Sequence, residues 1–182
     1  MKKIILLFSS LIIFGCSSSD DGTTNSSCDL NFANQKFAEI TGLMSYSDVE
    51  NLIGVPGNNF RTDNLGPSGE MKFYRWDFCE DNKYFECWII NDERLNLKTK
   101  YFGDNTCSAN VNQSNYLLIS IGDSLSQIRS LLGNQGDNIR IDYNNGIPNI
   151  KYYRWYNCID NSDYIEVFFD SSNNAFLINK SF

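Results

Sequence analysis

The residues of this chain that could carry out chemistry are mainly cysteines and carboxylates, because the sequence contains no histidine. Without histidine, neither a Ser-His-Asp nor a Cys-His arrangement can form, and a catalytic zinc site loses its favoured ligand. Catalysis by two carboxylates would still be possible, and Glu86 and Glu166 occupy matching places in two similar stretches. A simpler interpretation is that both are solvated strand residues. We therefore predict a protein that is not an enzyme, with no catalytic residue, no metal site and no cofactor.

Cys16 follows a stretch that is typical of an export signal. Residues 1–15 are predicted to be a lipoprotein signal peptide, since Lys2 and Lys3 precede an apolar run too short to remain in a bilayer. The run ends in IFGC, which resembles a bacterial lipobox, so we predict that Cys16 carries the lipid. The alternative is an ordinary secretory signal with a chance cysteine. Residues 16–27 are otherwise polar and are expected to form a flexible tether. The predicted location is the outer membrane, lipid-anchored, on its periplasmic or cell-surface side.

One short stretch of the sequence occurs twice. KFYRWDFC at residues 72–79 returns as KYYRWYNC at residues 151–158, an offset of 79. Further matches extend in both directions, and past the second stretch the offset becomes 80, as for Tyr84 and Tyr164. One residue inserted in the turn before Tyr164 explains the change. The chain is therefore predicted to contain two copies of one unit.

Four of the remaining cysteines obey this repeat. Cys28 matches Cys107 and Cys79 matches Cys158, so the simplest pairing in an oxidising compartment is Cys28 with Cys79 and Cys107 with Cys158. Cys87 has no counterpart and is predicted to be a buried free thiol. A bridge between Cys79 and Cys87 is the main alternative.

The elements that must position these residues are alike in the two units. A serine with a polar residue three positions later predicts a helix start, and a glycine predicts its end. These residues are Ser45, Asp48 and Gly54 in the first unit, and Ser124, Gln127 and Gly133 in the second. A weaker helix is expected before each, around 32–40 and 115–119. Alternating stretches predict strands near 58–63, 71–79, 84–91 and 94–102, with counterparts near 137–143, 150–158, 164–170 and 175–182.

These elements predict an α+β fold. Residues 28–104 and 105–182 would each form a helix-loop-helix followed by a four-stranded antiparallel meander. Joining the two units edge to edge would bury two sheet edges. We therefore predict one curved eight-stranded sheet with the helices on one face.

Two helix motifs carry a resemblance to a known family. IxxxMSYSDVENLIGVPG in the first unit and ISIGDSLSQIRSLLGNQG in the second are each followed by a YRW strand and a closing strand such as FLINKSF. Together they resemble the beta-lactamase inhibitory protein superfamily, and also the small outer-membrane assembly lipoproteins of the SmpA and OmlA kind, which carry one such unit. The first resemblance implies a protein that binds another protein through the concave face of its sheet.

Alternation along the strands separates two faces of the predicted sheet. Phe85, Cys87 and Ile89 share one apolar face, which suits packing against the helices. The opposite face would carry aromatic and arginine side chains, the residue types that dominate protein-binding hot spots. An alternative is that these aromatics only pack across strands. The candidate binding residues are Arg75, Tyr84, Trp88, Tyr152, Arg154, Tyr156, Tyr164 and Phe168.

The net charge of the chain restricts the classes of partner that it can bind. The formal charge is −7, and loss of Lys2 and Lys3 with the signal peptide makes the mature chain more acidic. Such a surface repels phosphates and anionic headgroups, so we predict no nucleic acid partner and contact with a membrane through the lipid alone. The expected partner is another envelope or secreted protein.

Three functions remain in order of preference. The first is a lipid-anchored envelope protein that binds another protein through the helix-free face of its sheet, with an inhibitor-like role. The second is a structural accessory lipoprotein in outer-membrane protein assembly. The third is a carbohydrate-binding or carbohydrate-hydrolysing module, which aromatic platforms beside carboxylates would also permit.

Overall fold

The computed structural model describes residues 30–78, 83–102, 107–160 and 162–182. The predicted signal peptide and tether, the lipid site Cys16 and the predicted bridge between Cys28 and Cys79 lie outside the described residues. No helix in the described part of the chain is long and apolar enough to cross a membrane.

Two helices begin and end where the sequence predicts. Helix α2 spans Tyr46–Ile53 and helix α4 spans Leu125–Leu132. Ser45 and Ser124 cap their first turns in reciprocal capping boxes, and the glycines that end them have φ of +88° and +77°. A serine oxygen accepts from a free backbone amide at each start, and only glycine adopts the left-handed ending without strain.

The two preceding helices differ in length. Helix α1 covers Leu30–Glu39, close to the prediction. Helix α3 is a single turn, Gln113–Tyr116, which is shorter and starts earlier than the predicted 115–119. The reason is Asn112, whose side chain accepts a hydrogen bond from the Asn115 amide at 3.0 Å and so starts the helix two residues upstream.

Eight strands form one sheet in chain order, and all neighbours are antiparallel. The strands are β1 (Asn58–Asn64), β2 (Glu70–Asp77), β3 (Tyr84–Ile90), β4 (Arg94–Lys100), β5 (Asp137–Asn144), β6 (Ile147–Tyr156), β7 (Tyr164–Phe169) and β8 (Ala175–Ser181). A short 3₁₀ turn, Gly66–Ser68, lies between β1 and β2. The predicted α+β class with one eight-stranded antiparallel sheet is confirmed.

Strands β4 and β5 join the two halves of the sheet. Their pairing runs from Leu97 opposite Asp142 to Thr99 opposite Arg140. Since β4 ends the first half of the chain and β5 starts the strands of the second, this contact buries one edge from each half.

All helices with buried residues pack against the same face of the sheet. Helices α1 and α2 cover Trp76, Phe85 and Cys87, and helix α4 covers Trp155 and Ile165 in the second half. The row of cross-strand partners Cys87, Lys98, Ile141, Lys151 and Phe169 runs across both halves on that face. The opposite face, called the helix-free face below, carries Arg75, Glu86, Thr99, Arg140, Tyr152 and Phe168 along the adjacent row.

The two core tryptophans are held in matching ways. The indole nitrogen of Trp76 donates to the carbonyl oxygen of Val55 at 3.0 Å, and that of Trp155 donates to Asn134 at 3.2 Å. A Cβ added at Gly136 would lie 2.3 Å from the Trp155 ring, so glycine is needed there for the close approach. Trp76 and Trp155 are almost fully buried.

The cysteines of the described part follow the predictions. Cys107 and Cys158 form a disulfide that closes a segment with a sequence separation of 51. Cys87 is a free, fully buried thiol, and burial raises its pKa to about 12. A thiol that is neutral and inaccessible at physiological pH does not act as a nucleophile.

Candidate protein-binding face

The structure brings the eight predicted binding residues to the helix-free face, where each is half-buried. Cross-strand pairing places Arg75 opposite Glu86, and Arg154 opposite Glu166. Each half of the sheet therefore presents one arginine surrounded by aromatic rings, Arg75 on β2 and Arg154 on β6. These two arginine-centred clusters are the framework of the candidate site.

Arg75 organises the cluster in the first half. Its guanidinium donates to Glu86 Oε1 through the terminal nitrogen at 2.7 Å and through Nε at 3.2 Å. The same group lies 3.9 Å from the ring centroid of Tyr84 and 4.8 Å from that of Phe60. Tyr84 in turn stacks on Tyr101 at 4.3 Å. A guanidinium between two rings is held by cation–π attraction as well as by its carboxylate.

Arg154 organises a more extensive cluster in the second half. It donates to Glu166 Oε1 through Nε at 2.8 Å and through a terminal nitrogen. Its terminal nitrogens also donate to the hydroxyl oxygens of Tyr156 at 3.2 Å and Tyr152 at 3.0 Å. The guanidinium lies 4.7 Å from the Tyr164 ring centroid. With this many contacts, the orientation of Arg154 is set before any partner arrives.

Arg154 and Tyr152 keep their charge states near neutral pH. Burial opposes the positive charge of Arg154, but hydrogen bonds to Tyr156 and Tyr152 outweigh it, and its pKa is raised. Burial also raises the pKa of Tyr152, which stacks on Phe168 with ring centroids 4.5 Å apart. An arginine that stays charged and a tyrosine that stays neutral are suited to recognition rather than to proton transfer.

The interpretation of Glu86 and Glu166 as solvated strand residues is wrong. They are only 5% and 8% exposed. Each lies under the arginine of its own cluster, and burial of a carboxylate is tolerable because that arginine compensates its charge. They belong to different strand pairs, each with its own arginine.

Sequence reasoning missed two further arginines on this face. Arg61 on β1 donates through Nε to Asp63 at 2.8 Å, and its guanidinium lies 4.4 Å from the Phe73 ring centroid. Arg140 on β5 donates to Asp142 in the same way at 2.6 Å. The signal was available, because both Arg-x-Asp triplets stand at matching places in the repeat. Arginine two positions before aspartate shares its face of a strand, which lets the pair form.

Trp88 is more enclosed than an isolated surface aromatic. It packs against Phe73 with ring centroids 4.8 Å apart, and the Arg140 guanidinium lies 5.7 Å from its ring. Its indole nitrogen is buried and has no hydrogen-bond partner among the described residues. Trp88 therefore contributes to packing on this face as well as to its aromatic surface.

The most accessible apolar side chains of the face were not among the predicted residues. Phe60 is 44% exposed and Tyr101 is 50% exposed, and both adjoin the Arg75 cluster. Phe176 and Leu177 on β8 are also exposed, and Phe176 contacts Phe168 with centroids 6.2 Å apart. The sequence did not predict these four residues, because the exposure of a side chain on an edge strand or just beyond a strand end depends on tertiary packing.

An open depression of about 510 Å³ lies where the two halves meet on this face. Strands β4 to β7 and the two residues that follow β4 supply its lining, which includes four of the predicted residues. The lining includes Thr99, Arg140, Tyr152, Arg154, Tyr156 and Phe168. The depression is thus a product of the β4–β5 pairing. Within the described ranges, no group of three or more Cys, Asp or Glu side chains is placed to hold a metal ion.

Comparison with known proteins gives the family. The profile of the beta-lactamase inhibitor (BLIP) family matches residues 33–158. A candidate beta-lactamase inhibitor protein from Streptococcus mutans has a similar fold, with a TM-score of 0.63 and 14% sequence identity, covering 85% of this chain and 98% of that one. No curated protein matches the chain. Since the family profile spans more than half of the sequence, the chain belongs to the beta-lactamase inhibitor (BLIP) family, a family of binding proteins rather than enzymes.

Proposed function

We propose that this protein is a lipid-anchored envelope protein that binds another protein through its helix-free face and inhibits it. The family name makes a beta-lactamase the first partner to test. The observation that carries the proposal is the Arg154 cluster, in which one guanidinium is held by Glu166, Tyr152 and Tyr156.

The chemistry of the face supports a protein partner. Arginine, tyrosine and tryptophan contribute most of the energy of protein interfaces when they are packed into place before binding. Here the arginines are fixed by carboxylates and rings, so little side-chain entropy remains to be lost. The partly exposed rings around them, such as Phe60 and Tyr101, can still be covered by a partner.

We also propose that the two halves are copies of one unit, as the sequence repeat suggests. Matching contacts support this proposal: Trp76 with Val55 and Trp155 with Asn134 are related by the same offset of 79 as the YRW strands. The two arginine clusters have diverged, because among the described residues Arg75 donates hydrogen bonds only to its carboxylate, whereas Arg154 also donates to two tyrosines. A partner that contacts both would therefore meet two different surfaces.

The lipid on Cys16 would place this face near the membrane. The twelve-residue tether 16–27 could extend up to about 40 Å, so the folded domain could reach enzymes in the surrounding space. No charge on the sheet is needed to hold the protein to lipid, which is consistent with the acidic net charge.

Direct inhibition assays test the proposal. Purified beta-lactamases of different classes are mixed with the intact protein, and both hydrolysis of a chromogenic beta-lactam and the dissociation constant are measured. Tyr156→Ala should weaken the dissociation constant of a true partner about tenfold or more, because a central interface tyrosine contributes that much. Ile159→Ser, at a position 89% exposed just after the disulfide cysteine, is the matched control and should leave affinity unchanged.

The outcomes separate the parts of the proposal. If no beta-lactamase is inhibited but an identified envelope protein is captured, and capture is lost with Tyr156→Ala, the face is correct and the inhibitor role is wrong. Capture of barrel-assembly components that depends on the lipid would indicate an accessory role in outer-membrane assembly. Capture that is unaffected by Tyr156→Ala would show that the partner binds elsewhere.

A further inference from the structure

The two outer strands of the sheet, β1 and β8, differ in the side chains that they carry. β1 carries the charged residues Arg61 and Asp63, and apart from Phe60 its side chains are all polar. β8 begins with the apolar run AFLI and carries a single charge, on Lys180. An outer strand exposes backbone N–H and C=O groups that can pair with another strand, and charged side chains commonly prevent this pairing. β1 has that protection, whereas β8 largely lacks it.

Large apolar side chains are exposed along this border of the molecule. They lie on β8 and in the segment between α3 and α4, and they include Phe176, Leu177, Leu117, Leu118 and Ile121. The segment is joined to the start of β8, because the Gly122 amide donates to the Ala175 carbonyl oxygen at 2.8 Å. Exposed apolar side chains beside an unprotected strand edge are typical of a surface that binds another chain.

A comparison with β4 indicates what would cover this border. In the sequence, Leu177 of β8 stands 80 positions after Leu97 of β4, and both lie on the helix-free face. Leu97 is only 2% exposed, because β5 pairs with β4 and places Asp142 opposite it. Leu177 is 44% exposed. The matching leucine is thus buried where a neighbouring antiparallel strand is present, so a strand of that kind would also cover β8.

The backbone of β8 presents hydrogen-bonding groups to a neighbour at Ile178 and Lys180. The Asn157 amide donates to the Asp163 carbonyl oxygen at 2.9 Å, which fixes the residues of β7 that bond to β6. Because alternate residues of an antiparallel strand bond to opposite neighbours, the register places Asn179 among the residues that bond to β7. The N–H and C=O groups of Ile178 and Lys180, on either side of it, therefore point away from the sheet.

Neither the lysine of β8 nor its irregular pairing blocks this stretch. The Lys180 ammonium donates to Gln113 and lies 4.6 Å from the Tyr116 ring centroid, so the side chain is held on the helix-covered side. The pairing of β8 with β7 is irregular only near its start, between Ala175 and Leu177. Residues 177–181, called the β8 edge below, pair with β7 in regular register and have no strand on their outer side within the described ranges.

We propose that the β8 edge pairs in antiparallel orientation with the β8 edge of a second copy of this chain. A pairing centred on Asn179 sets Ile178 opposite Lys180 of the second copy, so their outward backbone groups bond to each other. The two lysines are then not opposite one another. The same pairing brings Phe176, which is 41% exposed, to the end of the junction where Phe182 of the second copy is exposed.

The β8 edge is therefore complementary to itself, which favours a second copy over an unrelated strand. Each copy has one such edge, so association stops at a dimer with two-fold symmetry. Opposed residues of antiparallel strands point to the same side, so the two helix-free faces lie side by side on one continuous sheet. The inference does not depend on an inhibitory role for that face.

Sedimentation of the intact protein over a series of concentrations tests the proposal. The wild type should pass from monomer to dimer and form no larger species, and high salt should favour the dimer, since two chains of formal charge −7 repel each other. Asn179→Lys should raise the dissociation constant of the dimer about fivefold, because two like charges then lie opposite each other at the junction. Thr62→Lys adds the same charge at an exposed position of β1 and is the matched control, with no such loss expected.

Two further measurements identify the pairing. An equimolar mixture of Asn179→Lys and Asn179→Asp should form a mixed dimer more tightly than either variant pairs with itself, because opposite charges then face each other. In the wild type, hydrogen exchange at the amides of Ile178 and Lys180 should slow as the protein concentration rises, while exchange at Thr62 should stay the same.

The outcomes decide the proposal. A wild type that stays monomeric up to about 1 mM would overturn it, and so would a dimer that Asn179→Lys weakens no more than Thr62→Lys does. If exchange at Ile178 slowed only when an identified partner protein was added, and not with more of this protein, the β8 edge would take up a strand of that partner and the second-copy pairing would be wrong.

Discussion

Arg154 and Glu166 form an ion pair across strands β6 and β7 on the face of the sheet that no helix covers, and their side chains are only 28% and 11% exposed. Arg75 and Glu86 repeat this arrangement on β2 and β3. Two largely buried pairs on an open face mean that the surface offered to a partner is pre-formed, and this leads to predictions for stability and for binding.

Glu166→Gln should lower the free energy of unfolding by about 1–3 kcal/mol, because it leaves a largely buried guanidinium without its carboxylate. The midpoint of urea denaturation measures this. Asp63→Asn removes the partner of a more exposed arginine and is the matched control, with an expected loss of about 0.5 kcal/mol or less. Equal losses in the two variants would contradict the importance of burial.

Trp155→Ala should mainly lower stability and Tyr156→Ala should mainly weaken binding, although the residues are adjacent. Trp155 is fully buried against the helices, so its loss should destabilise the protein by about 3–5 kcal/mol. Because Tyr156 lies on the helix-free face, Tyr156→Ala should lower the free energy of unfolding by about 1 kcal/mol or less and should weaken partner binding. Thermal melting and a binding titration distinguish them. If Tyr156→Ala destabilised the protein as much as Trp155→Ala, the aromatic side chains of the helix-free face would serve packing and not partner recognition.

Gly136→Ala should destabilise the protein by about 2–4 kcal/mol, because φ is +68° and the new Cβ would lie 2.3 Å from the Trp155 ring. Gly122→Ala is the control, since φ is +94° but nothing lies within 4 Å of the new Cβ. It should cost only the backbone strain of about 1–2 kcal/mol. Calorimetric melting compares them, and a smaller effect at Gly136 than at Gly122 would refute the close contact with Trp155.

Replacing both Cys107 and Cys158 by serine should lower the free energy of unfolding by up to about 4 kcal/mol, the loop-entropy estimate for a separation of 51 residues. Native peptide mapping should recover the Cys107–Cys158 bridge, and alkylation should reach Cys87 only after unfolding, since that thiol is fully buried. Rapid alkylation of Cys87 in the folded protein would contradict its placement in the core.

Cys16→Ser should release the protein from the membrane fraction, because the predicted acyl chains supply its membrane affinity. Fractionation followed by salt and carbonate washes measures this. Cys87→Ser, which alters a buried thiol, serves as the control and should leave the membrane-bound fraction unchanged. Retention of Cys16→Ser in the washed membranes would show that something other than the lipid attaches the protein.

The sequence by itself determined the local elements and the two faces of each strand. Ser45 and Gly54 bound a helix, and Phe85, Cys87 and Ile89 alternate with outward residues, because capping and the period of a strand act over a few neighbouring residues. It also indicated the Cys107–Cys158 bridge, through the symmetry of the repeat. These properties are local or repeated, so they can be derived from spacing.

Only the tertiary structure decided which of these residues meet, and how deeply they are buried. Glu86 and Glu166 have the sequence appearance of solvated residues, yet arginines on neighbouring strands cover them. Arg140 reaches Trp88 only because β5 pairs with β4. The burial of Lys98 likewise requires α1 to lie over β4. Such contacts join residues far apart in the chain, and their energies depend on the solvent that the fold excludes, which local spacing does not encode.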